Sequence, residues 1–352
     1  MSLERYNRQV LLPFIGEERQ QRILNSTAVV IGCGALGTVI ANVLARAGVG
    51  KLRICDRDFV EESNLQRQVL FDMKDVAENM PKAAAAERKL REINPTIQIE
   101  GIVTDVNPAN VEELIKGATV VVDGADNFET RFVLNDACVK HNIPWIYGAA
   151  VGSTGLTMTI IPGQTPCIRC LFETAPPPGM TPTCDTAGVL GSVTGLIGNY
   201  EASEALKICA GHLDQINTRL FSIDLWTSEM HQFKIARARE VADCPTCKRR
   251  NFEFLEGQGA STTTGLCGRN AVQINPRNNS KLDLAAMAKT LSATGGVSNV
   301  SANKFLLKFN APGGDKPEEG LEITVFPDAR AIIKGTKQVP VARTAYAKYV
   351  GS

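Results

Sequence analysis

The amino-acid sequence predicts an α/β fold: a doubly wound, mostly parallel sheet with an antiparallel extension, followed by a small C-terminal α+β domain. In the first 141 residues, short apolar runs alternate with helical segments. Further on, residues 145–161 and 220–235 each contain two apolar runs without a helix between them. Alternating strands and helices build a parallel sheet, whereas directly paired strands build an antiparallel one. After residue 248 the composition changes, which marks the start of a second domain.

The elements of the large domain follow from these runs in chain order. Residues 1–25 form a polar, helical lead-in that contains Arg5 and Arg8. Pro81 begins a helix rich in Ala, Lys, Glu and Arg, because proline is favoured in a first helical turn. Apolar runs predict strands at 27–31, 51–55, 97–103, 118–122, 145–149, 156–161, 220–223 and 230–235. Further helical segments are 42–47, 131–141 and 195–210.

Three regions describe the domain organisation that we predict. Residues 1–250 form the large domain, and residues 251–265 form a polar linker with clustered Gly, Ser and Thr. Residues 266–352 form the small domain, which is long enough to hold a core of its own. Its predicted strands are 271–274, 305–309, 321–326 and 329–335, and its predicted helices are 282–291 and 341–350.

Composition and charge exclude several classes of protein. The chain has 38 basic and 37 acidic residues, a net charge of +1, which gives no reason to expect nucleic acid or an anionic membrane as partner. The N-terminus lacks the pattern of a signal peptide, and the uncharged segment 142–168 is broken by proline and glycine. We therefore expect a cytoplasmic protein without membrane spans. Ten cysteines in such a chain argue against a disulfide scaffold.

A glycine-rich loop follows the first predicted strand. Gly32, Gly34 and Gly37 belong to the segment GCGALG, which a strand precedes and a helix follows. Asp56 stands at the tip of the next strand, at the distance typical of a Rossmann-like nucleotide-binding unit. The glycines let the backbone approach a phosphate, and the carboxylate can accept hydrogen bonds from a ribose. The nucleotide can be NAD or ATP, since both contain adenosine.

Polar and charged residues in the loops that follow favour ATP. Asp58, Asn64, Arg67, Lys82 and Asp126 lie where predicted parallel strands end, and ligands bind at that edge of such sheets. Arg67 and Lys82 suit a triphosphate, and Asp126 suits a Mg²⁺ ion that bridges phosphates. A dehydrogenase has little use for this set.

Two CxxC pairs, Cys167/Cys170 and Cys244/Cys247, predict a metal site. Four thiolates match a closed tetrahedral zinc site with a structural role. Because 73 residues separate the pairs, the metal would join distant segments of the chain. The competing interpretation is a redox CxxC, which needs only one pair at the start of a helix.

Eight segments occur in the order of one known family. They are RYNRQ at 5–9, GCGALG at 32–37, DRDFVEESNLQRQ at 56–68, PKA at 81–83, DGADNFETR at 123–131, PCIRC at 166–170, CDTAGVLGSV at 184–193 and CPTC at 244–247. On these segments, residues 1 to about 250 resemble the ThiF/MoeB/HesA family of adenylyltransferases, which are relatives of the ubiquitin-activating enzymes.

The resemblance implies a reaction and a partner. Members of the family use ATP to adenylate the C-terminal glycine of a small ubiquitin-like sulfur-carrier protein of the ThiS or MoaD type. The acyl-adenylate then accepts sulfur, supplied by a desulfurase or a rhodanese-like protein, and becomes a thiocarboxylate for thiamine or molybdopterin synthesis.

Site residues are also carried over from the resemblance. It implies that Asp126 coordinates Mg²⁺ and that Lys82 and Arg67 contact the phosphates. Arg8 is expected to reach the phosphates of the other subunit's site in a homodimer. The expected nucleotide-binding set comprises Gly32, Gly34, Gly37, Asp56, Asp58, Asn64, Arg67, Lys82, Asp126 and Asn127.

The remaining cysteines divide into one candidate for chemistry and several without a role. Cys184 follows a loop rich in Pro and Gly and precedes a helix, a position that favours a thiolate. In the family this position is the candidate for a covalent bond to the carrier or for sulfur transfer. Cys267 is expected to be structural, and four others are expected to be small core residues. These four are Cys33, Cys55, Cys138 and Cys209.

Other functions remain open from the residues alone. The glycine loop by itself is also compatible with an NAD-dependent oxidoreductase, and a scaffold that binds the carrier without chemistry is a third class. Within the family, a peptide or a tRNA base could replace the sulfur carrier as substrate. The chain ends TAYAKYVGS rather than Gly-Gly, so the small domain is not expected to be a fused carrier.

Overall fold

A computed structural model describes two compact units of the chain. The first contains residues 3–172, 174 and 187–257, and the second contains 263–266, 270–274, 282–294, 296–315 and 320–351. Cys184 and Cys267 lie outside the described residues.

The first unit is built around an eight-stranded sheet. Its strands are β1 Thr27–Ile31, β2 Lys51–Asp56, β3 Gln98–Val103, β4 Val120–Asp123, β5 Trp145–Val151, β6 Thr154–Ile160, β7 Arg219–Asp224 and β8 Glu229–Lys234. The strand order is β3-β2-β1-β4-β5-β6-β7-β8. The pairs from β3 to β5 are parallel, and those from β5 to β8 are antiparallel. The predicted doubly wound sheet with its antiparallel extension is confirmed.

Helices cover both faces of this sheet. They are α1 Asn7–Val10, α2 Gly16–Leu24, α3 Ala35–Ala47, α4 Met73–Ala77, α5 Lys82–Ile93, α6 Val111–Ile115, α7 Phe128–Lys140, α8 Ile168–Leu171, α9 Gly191–Ala210 and α10 Ala236–Val241. Val30 packs in a core cluster with α3 and α9, whereas its neighbour Val29 packs in a second cluster with α7. Because successive side chains of a strand point to opposite faces, β1 needs an apolar layer on each side.

The strand order reverses between β1 and β4. The chain continues from β1 to β2 on one side, whereas β4 lies on the other side of β1. In such sheets the loops at the carboxyl ends of the two strands diverge and leave a crevice that binds ligands. The glycine loop follows β1 and the Asp126 loop follows β4, so both predicted site loops lie at this edge.

The first part of the predicted linker belongs to the first unit. Phe252, Phe254 and Leu255 pack against its second core cluster. The Phe254 ring lies 4.8 Å from the Phe132 ring, and Phe254 N–H donates to Asp136 Oδ2 over 2.9 Å. At these three residues the structure thus differs from the linker interpretation of 251–265. The sequence did not reveal this packing, because these apolar residues lack the regular spacing of a helix or strand.

The described residues of the second unit form a six-stranded antiparallel sheet and two helices. Its strands are β9 Thr263–Leu266, β10 Ala271–Ile274, β11 Ser298–Ala302, β12 Leu307–Ala311, β13 Leu321–Val325 and β14 Ala331–Lys334, in the order β11-β12-β13-β14-β10-β9. Helices α11 Leu284–Thr294 and α12 Val339–Tyr349 contribute Leu291 and Ala342 to its core. The strand β11, SNVSA, was not predicted because it has little apolar alternation. In the part of the chain that the structure describes, each helix is too short or too polar to cross a membrane.

Candidate active site and cysteine cluster

The glycine loop brings β1, α3 and the loop after β4 into close contact. Gly32 has a φ of +88°, and a Cβ atom on it would lie 2.5 Å from the carbonyl carbon of Gly124. A Cβ atom on Gly37 would lie 2.9 Å from the carbonyl carbon of Gly32. A Cβ atom on Gly34, in contrast, would meet no described atom within 4 Å. Gly32 and Gly37 are therefore required by packing, whereas the backbone at Gly34 borders open space.

Asp56 connects the glycine loop to the loop after β2. Its carboxylate accepts hydrogen bonds from Cys33 N–H over 2.6 Å and from Asp58 N–H over 2.7 Å. Burial raises the pKa of Asp56, and the charge of Lys82 opposes this rise. The carboxylate thus already orders two loop backbones, and its predicted contact with a ribose would add to this role.

Lys82 places a buried cation at the start of α5. Pro81 caps the helix without donating a hydrogen bond, and Lys82 is the first helical residue. Lys82 is 3% exposed, and its Nζ lies 3.3 Å from Asp58 Oδ2. A buried ammonium group requires such a counter-charge. The pairing holds the cation at the edge of the sheet where the nucleotide is expected.

Arg57 was not singled out from the sequence, although it interacts with three carboxylates of the site. Its Nη1 lies 2.9 Å from Asp105 Oδ1, and its Nε lies 3.9 Å from Asp58 Oδ1. Burial lowers the pKa of Arg57, but Asp105, Asp58 and Asp126 together raise it above its usual value. Arg57 thereby links the ends of β2, β3 and β4. The sequence does not indicate this role, because the interactions of Arg57 with Asp58, Asp105 and Asp126 depend on the order of the strands in the sheet.

Asp126 presents an exposed carboxylate at the start of α7. Its Oδ1 accepts a hydrogen bond from Asn127 Nδ2 over 3.1 Å. Asn127 in turn caps α7, because its Oδ1 accepts from Thr130 N–H over 2.9 Å. Asn127 therefore has a structural role beside its predicted role in nucleotide binding. The accessible Asp126 carboxylate suits a hard divalent cation.

Asn64 and Arg67 lie on one turn, with different exposure. Asn64 is 2% exposed and accepts Glu61 N–H over 3.0 Å, so its side chain closes this turn. Arg67 is half-buried and donates to the Ser63 carbonyl oxygen over 2.9 Å. A Cβ atom on Gly191 would lie 3.6 Å from Arg67 Cβ, which places the start of α9 beside this arginine. These contacts do not include Arg8, which is exposed on α1.

The two CxxC pairs converge on one point. The four Sγ atoms all lie within 4.8 Å of one another. Three of the distances are 3.8 Å for Cys167–Cys170, 3.5 Å for Cys167–Cys244 and 3.4 Å for Cys170–Cys247. Zinc–sulfur bonds of about 2.3 Å in a tetrahedron place the sulfurs about 3.8 Å apart. The donor set and its geometry thus fit a four-coordinate metal ion better than two separate redox pairs.

The remaining described cysteines are core residues, as predicted. Cys33, Cys55, Cys138 and Cys209 are all buried. Burial raises the pKa of Cys55 and of Cys209 to about 12. These thiols therefore stay protonated and inert at neutral pH.

A comparison with families of known sequence decides the relationship. The family described as "ThiF family" matches residues 6–246, which include both site loops and three of the four clustered cysteines. The chain belongs to the ThiF family.

Several relatives are similar over most of their length. A protein of Bacillus subtilis (strain 168), named "Sulfur carrier protein ThiS adenylyltransferase", is 43% identical over 347 residues, 99% of each chain. The "SAMP-activating enzyme E1" of Haloferax volcanii is 40% identical and covers 72% of this chain and 92% of its own. A ThiS adenylyltransferase of Escherichia coli (strain K12) is 38% identical over 250 residues, 71% of this chain and 96% of its own.

Solved structures support the ThiF-type fold. A crystal structure of E. coli MccB with MccA-N7isoASN superposes with a TM-score of 0.61 at 23% identity, over 70% of this chain and 75% of that one. The predicted family is confirmed. These relatives do not favour the NAD-dependent oxidoreductase that the glycine loop alone left open.

Proposed function

We propose that this protein uses ATP to adenylate the C-terminal glycine of a small ubiquitin-like sulfur-carrier protein of the ThiS or MoaD type. The observation that carries the proposal is the buried Lys82 ammonium group, held by Asp58 beside the open glycine loop. The alignment with the Bacillus subtilis relative covers 99% of both chains, and the name of that relative supports this carrier as the substrate. The partner is thus a protein, and neither a nucleic acid nor a membrane is needed. A cytoplasmic location fits the need for ATP.

The chemistry requires charge neutralisation more than proton transfer. The carrier's terminal carboxylate attacks the α-phosphorus of ATP, a new C–O–P bond forms, and pyrophosphate leaves with the electrons of the broken P–O bond. Both reactants are anions, so cations must reduce their repulsion before they meet. Lys82 and Arg67 supply this charge, while Asp56, Asp58, Asn64 and Asn127 fix the nucleotide. Holding two reactants in one orientation removes much of the entropic part of the barrier.

Two metals are proposed in addition. Asp126 would hold Mg²⁺, which neutralises charge on the departing pyrophosphate when it is bound. The four clustered cysteines would hold Zn²⁺, which joins the segment around α8 to the segment around Cys244. The zinc would be structural, because the four cysteines would fill a tetrahedral coordination shell.

Roles are also proposed for two residues that make none of the contacts described above for the site. Arg8 would reach the phosphates of the second subunit's site in a homodimer. Cys184 would form the covalent bond to the carrier or transfer sulfur after adenylation, with a desulfurase or rhodanese-like protein as donor. Replacing Cys184 by alanine should leave pyrophosphate exchange intact and abolish any covalent enzyme–carrier species. Loss of exchange in a folded Cys184→Ala variant would contradict this separation of steps.

Carrier-dependent exchange of pyrophosphate into ATP tests the proposed function. The native chain should exchange label only with a carrier that ends in Gly-Gly, and a carrier shortened by one glycine serves as control. Asp126→Ala should lower the rate by orders of magnitude, because it removes a metal ligand at a phosphoryl-transfer site. Glu129→Ala, which removes a nearby exposed carboxylate, should retain the native rate. Equal exchange with both carriers, or a normal rate in Asp126→Ala, would refute the assignment.

A further inference from the structure

A buried ion pair lies next to the loop that carries Asp126. Asp123, the last residue of β4, is fully buried, and Arg131 on α7 is 6% exposed. Arg131 Nε donates to Asp123 Oδ2 over 2.8 Å. Burial lowers the pKa of Arg131, but the neighbouring Asp123 charge raises it above its usual value. The arginine is therefore a permanent cation with a fixed partner.

The same pair holds both polar backbone groups of Ala125. Ala125 N–H donates to Asp123 Oδ1 over 2.8 Å, and the Ala125 carbonyl oxygen accepts from Arg131 Nη2 over 2.8 Å. Arg131 Nη2 also donates to the Gly148 carbonyl oxygen of β5 over 2.7 Å, which ties the guanidinium to the sheet. Because the Ala125 carbonyl belongs to the peptide bond with Asp126, the pair fixes the backbone from which the Asp126 side chain projects.

A second buried acid, Glu201 of α9, accompanies the pair. Glu201 is fully buried, and neither carboxyl oxygen has a hydrogen-bond partner among the described residues. A Cβ atom on Gly148 would overlap this carboxyl group, so the acid lies against β5. Burial raises the pKa of Glu201 well above its usual value; the charge of Asp123 adds to the rise and that of Arg131 opposes it. The neutral form of Glu201 is favoured, and Asp123 and Arg131 then balance each other.

We propose that Arg131 and Asp123 are positioning residues for adenylation: they orient the Ala125–Asp126 peptide so that the Asp126 carboxylate meets the divalent cation that accompanies ATP. The inference rests on the proposed function. Charge alone does not suffice for this task, because one planar guanidinium reaches Asp123, Ala125 and Gly148 together. An ammonium group is a point charge with a different donor geometry, so lysine cannot replace these three contacts.

The test compares Arg131→Lys with Arg53→Lys. Arg53 is a matched control, because it is a mostly buried arginine of β2, paired with Glu100 over 3.4 Å and with no part in the site. ATP affinity is measured by calorimetry over a range of Mg²⁺ concentrations, beside the rate of carrier-dependent exchange. We expect Arg131→Lys to raise the Mg²⁺ concentration for half-maximal ATP binding at least tenfold. Its KM for the carrier should change less than twofold, and Arg53→Lys should match the native chain.

Two further variants distinguish positioning from a general loss of structure. Asp123→Asn keeps the side-chain volume and should shift the Mg²⁺ midpoint in the same direction, which covers the case in which Arg131→Lys does not fold. Adding Arg131→Lys to Asp126→Ala should not weaken ATP binding further, because the oriented group is already gone. An unchanged Mg²⁺ midpoint in folded Arg131→Lys or Asp123→Asn would overturn the inference. If the native chain shows no exchange with any carrier, the proposed function fails, whereas the midpoint shift in ATP binding still tests the positioning role.

Discussion

Gly32 and Gly124 touch at the backbone: a Cβ atom on Gly32 would lie 2.5 Å from the carbonyl carbon of Gly124. The contact joins the loop after β1 to the loop after β4, at the point where the strand order reverses. Gly124 N–H donates to the Ile31 carbonyl oxygen over 2.7 Å, which keeps the two loops in register. The glycine loop and the Asp126 loop are thus in direct backbone contact, so a substitution that displaces one loop should also displace the other.

The first prediction separates packing from ligand contact within the glycine loop. Gly32→Ala should destabilise the fold by more than about 3 kcal/mol, because it combines a left-handed φ with a backbone overlap. Gly34→Ala should change stability by less than about 1 kcal/mol, since its Cβ atom would enter open space. Gly34→Ala should nevertheless weaken ATP binding at least tenfold. Denaturant unfolding and ATP calorimetry on both variants check this, and normal ATP affinity in Gly34→Ala would contradict it.

Sequence reasoning was most successful where the requirement is local. The loop Gly32–Gly37 has its strand before it and its helix after it, so the spacing alone identified the loop. Gly124 was not singled out, because its need for a small residue comes from Gly32, a residue distant in sequence. Arg57 was missed for the same reason, as its carboxylate partners follow three different strands.

The two cysteine pairs illustrate an intermediate case. Their spacing predicted a common metal site, although 73 residues separate them and spacing cannot show convergence. The structure brings the four sulfurs together because α8 and the turn at Cys244 both pack against α7. Thr246 Oγ1 donates to Asp136 of α7 over 2.8 Å and anchors this turn.

The second prediction concerns the metal content. The purified protein should contain one Zn²⁺ per chain, measured by elemental analysis without chelators. Cys244→Ser should lose the zinc and more than about 3 kcal/mol of stability, which for a domain of this size lowers Tm by about 6 to 12 °C. The matched control is Cys209→Ser, a buried cysteine outside the cluster, which should keep its zinc. A zinc-free native protein, or full zinc content in Cys244→Ser, would refute the structural metal.

The third prediction follows from the raised pKa of Glu201. In the unfolded chain a glutamate ionises near pH 4.3, whereas burial keeps the native Glu201 protonated to a higher pH. Between these two pKa values the native state binds one proton more than the unfolded state. The free energy of unfolding therefore falls as pH rises, by up to about 1.4 kcal/mol per pH unit.

Glu201→Gln isolates this contribution, because the amide has the same shape and does not ionise. The difference in unfolding free energy between Glu201→Gln and the native chain should grow in favour of glutamine from pH 5 to pH 8. The groups that face Glu201, namely Asp123, Arg131 and Tyr147, are present in both proteins, so their own titration largely cancels. Urea unfolding at four pH values measures the difference. A difference that is constant with pH would show that Glu201 ionises normally in the native state.

The last prediction concerns the boundary of the first unit. A chain ended after Gly257 keeps Phe252, Phe254 and Leu255, which pack on the core of that unit, so it should fold and still adenylate its carrier. A chain ended after Arg249 removes this contact and exposes Phe132 and the Asp136 carboxylate, so it should be less stable by several kcal/mol. The Escherichia coli relative supports the first expectation, because it is matched over 96% of its length by 71% of this chain.

Loss of the second unit should raise the KM for the carrier or slow thiocarboxylate formation, with less effect on ATP binding. ATP affinity, exchange rate and Tm of both shortened chains decide the matter. A chain ended after Gly257 that folds but no longer binds ATP would show that the second unit contributes to the nucleotide site.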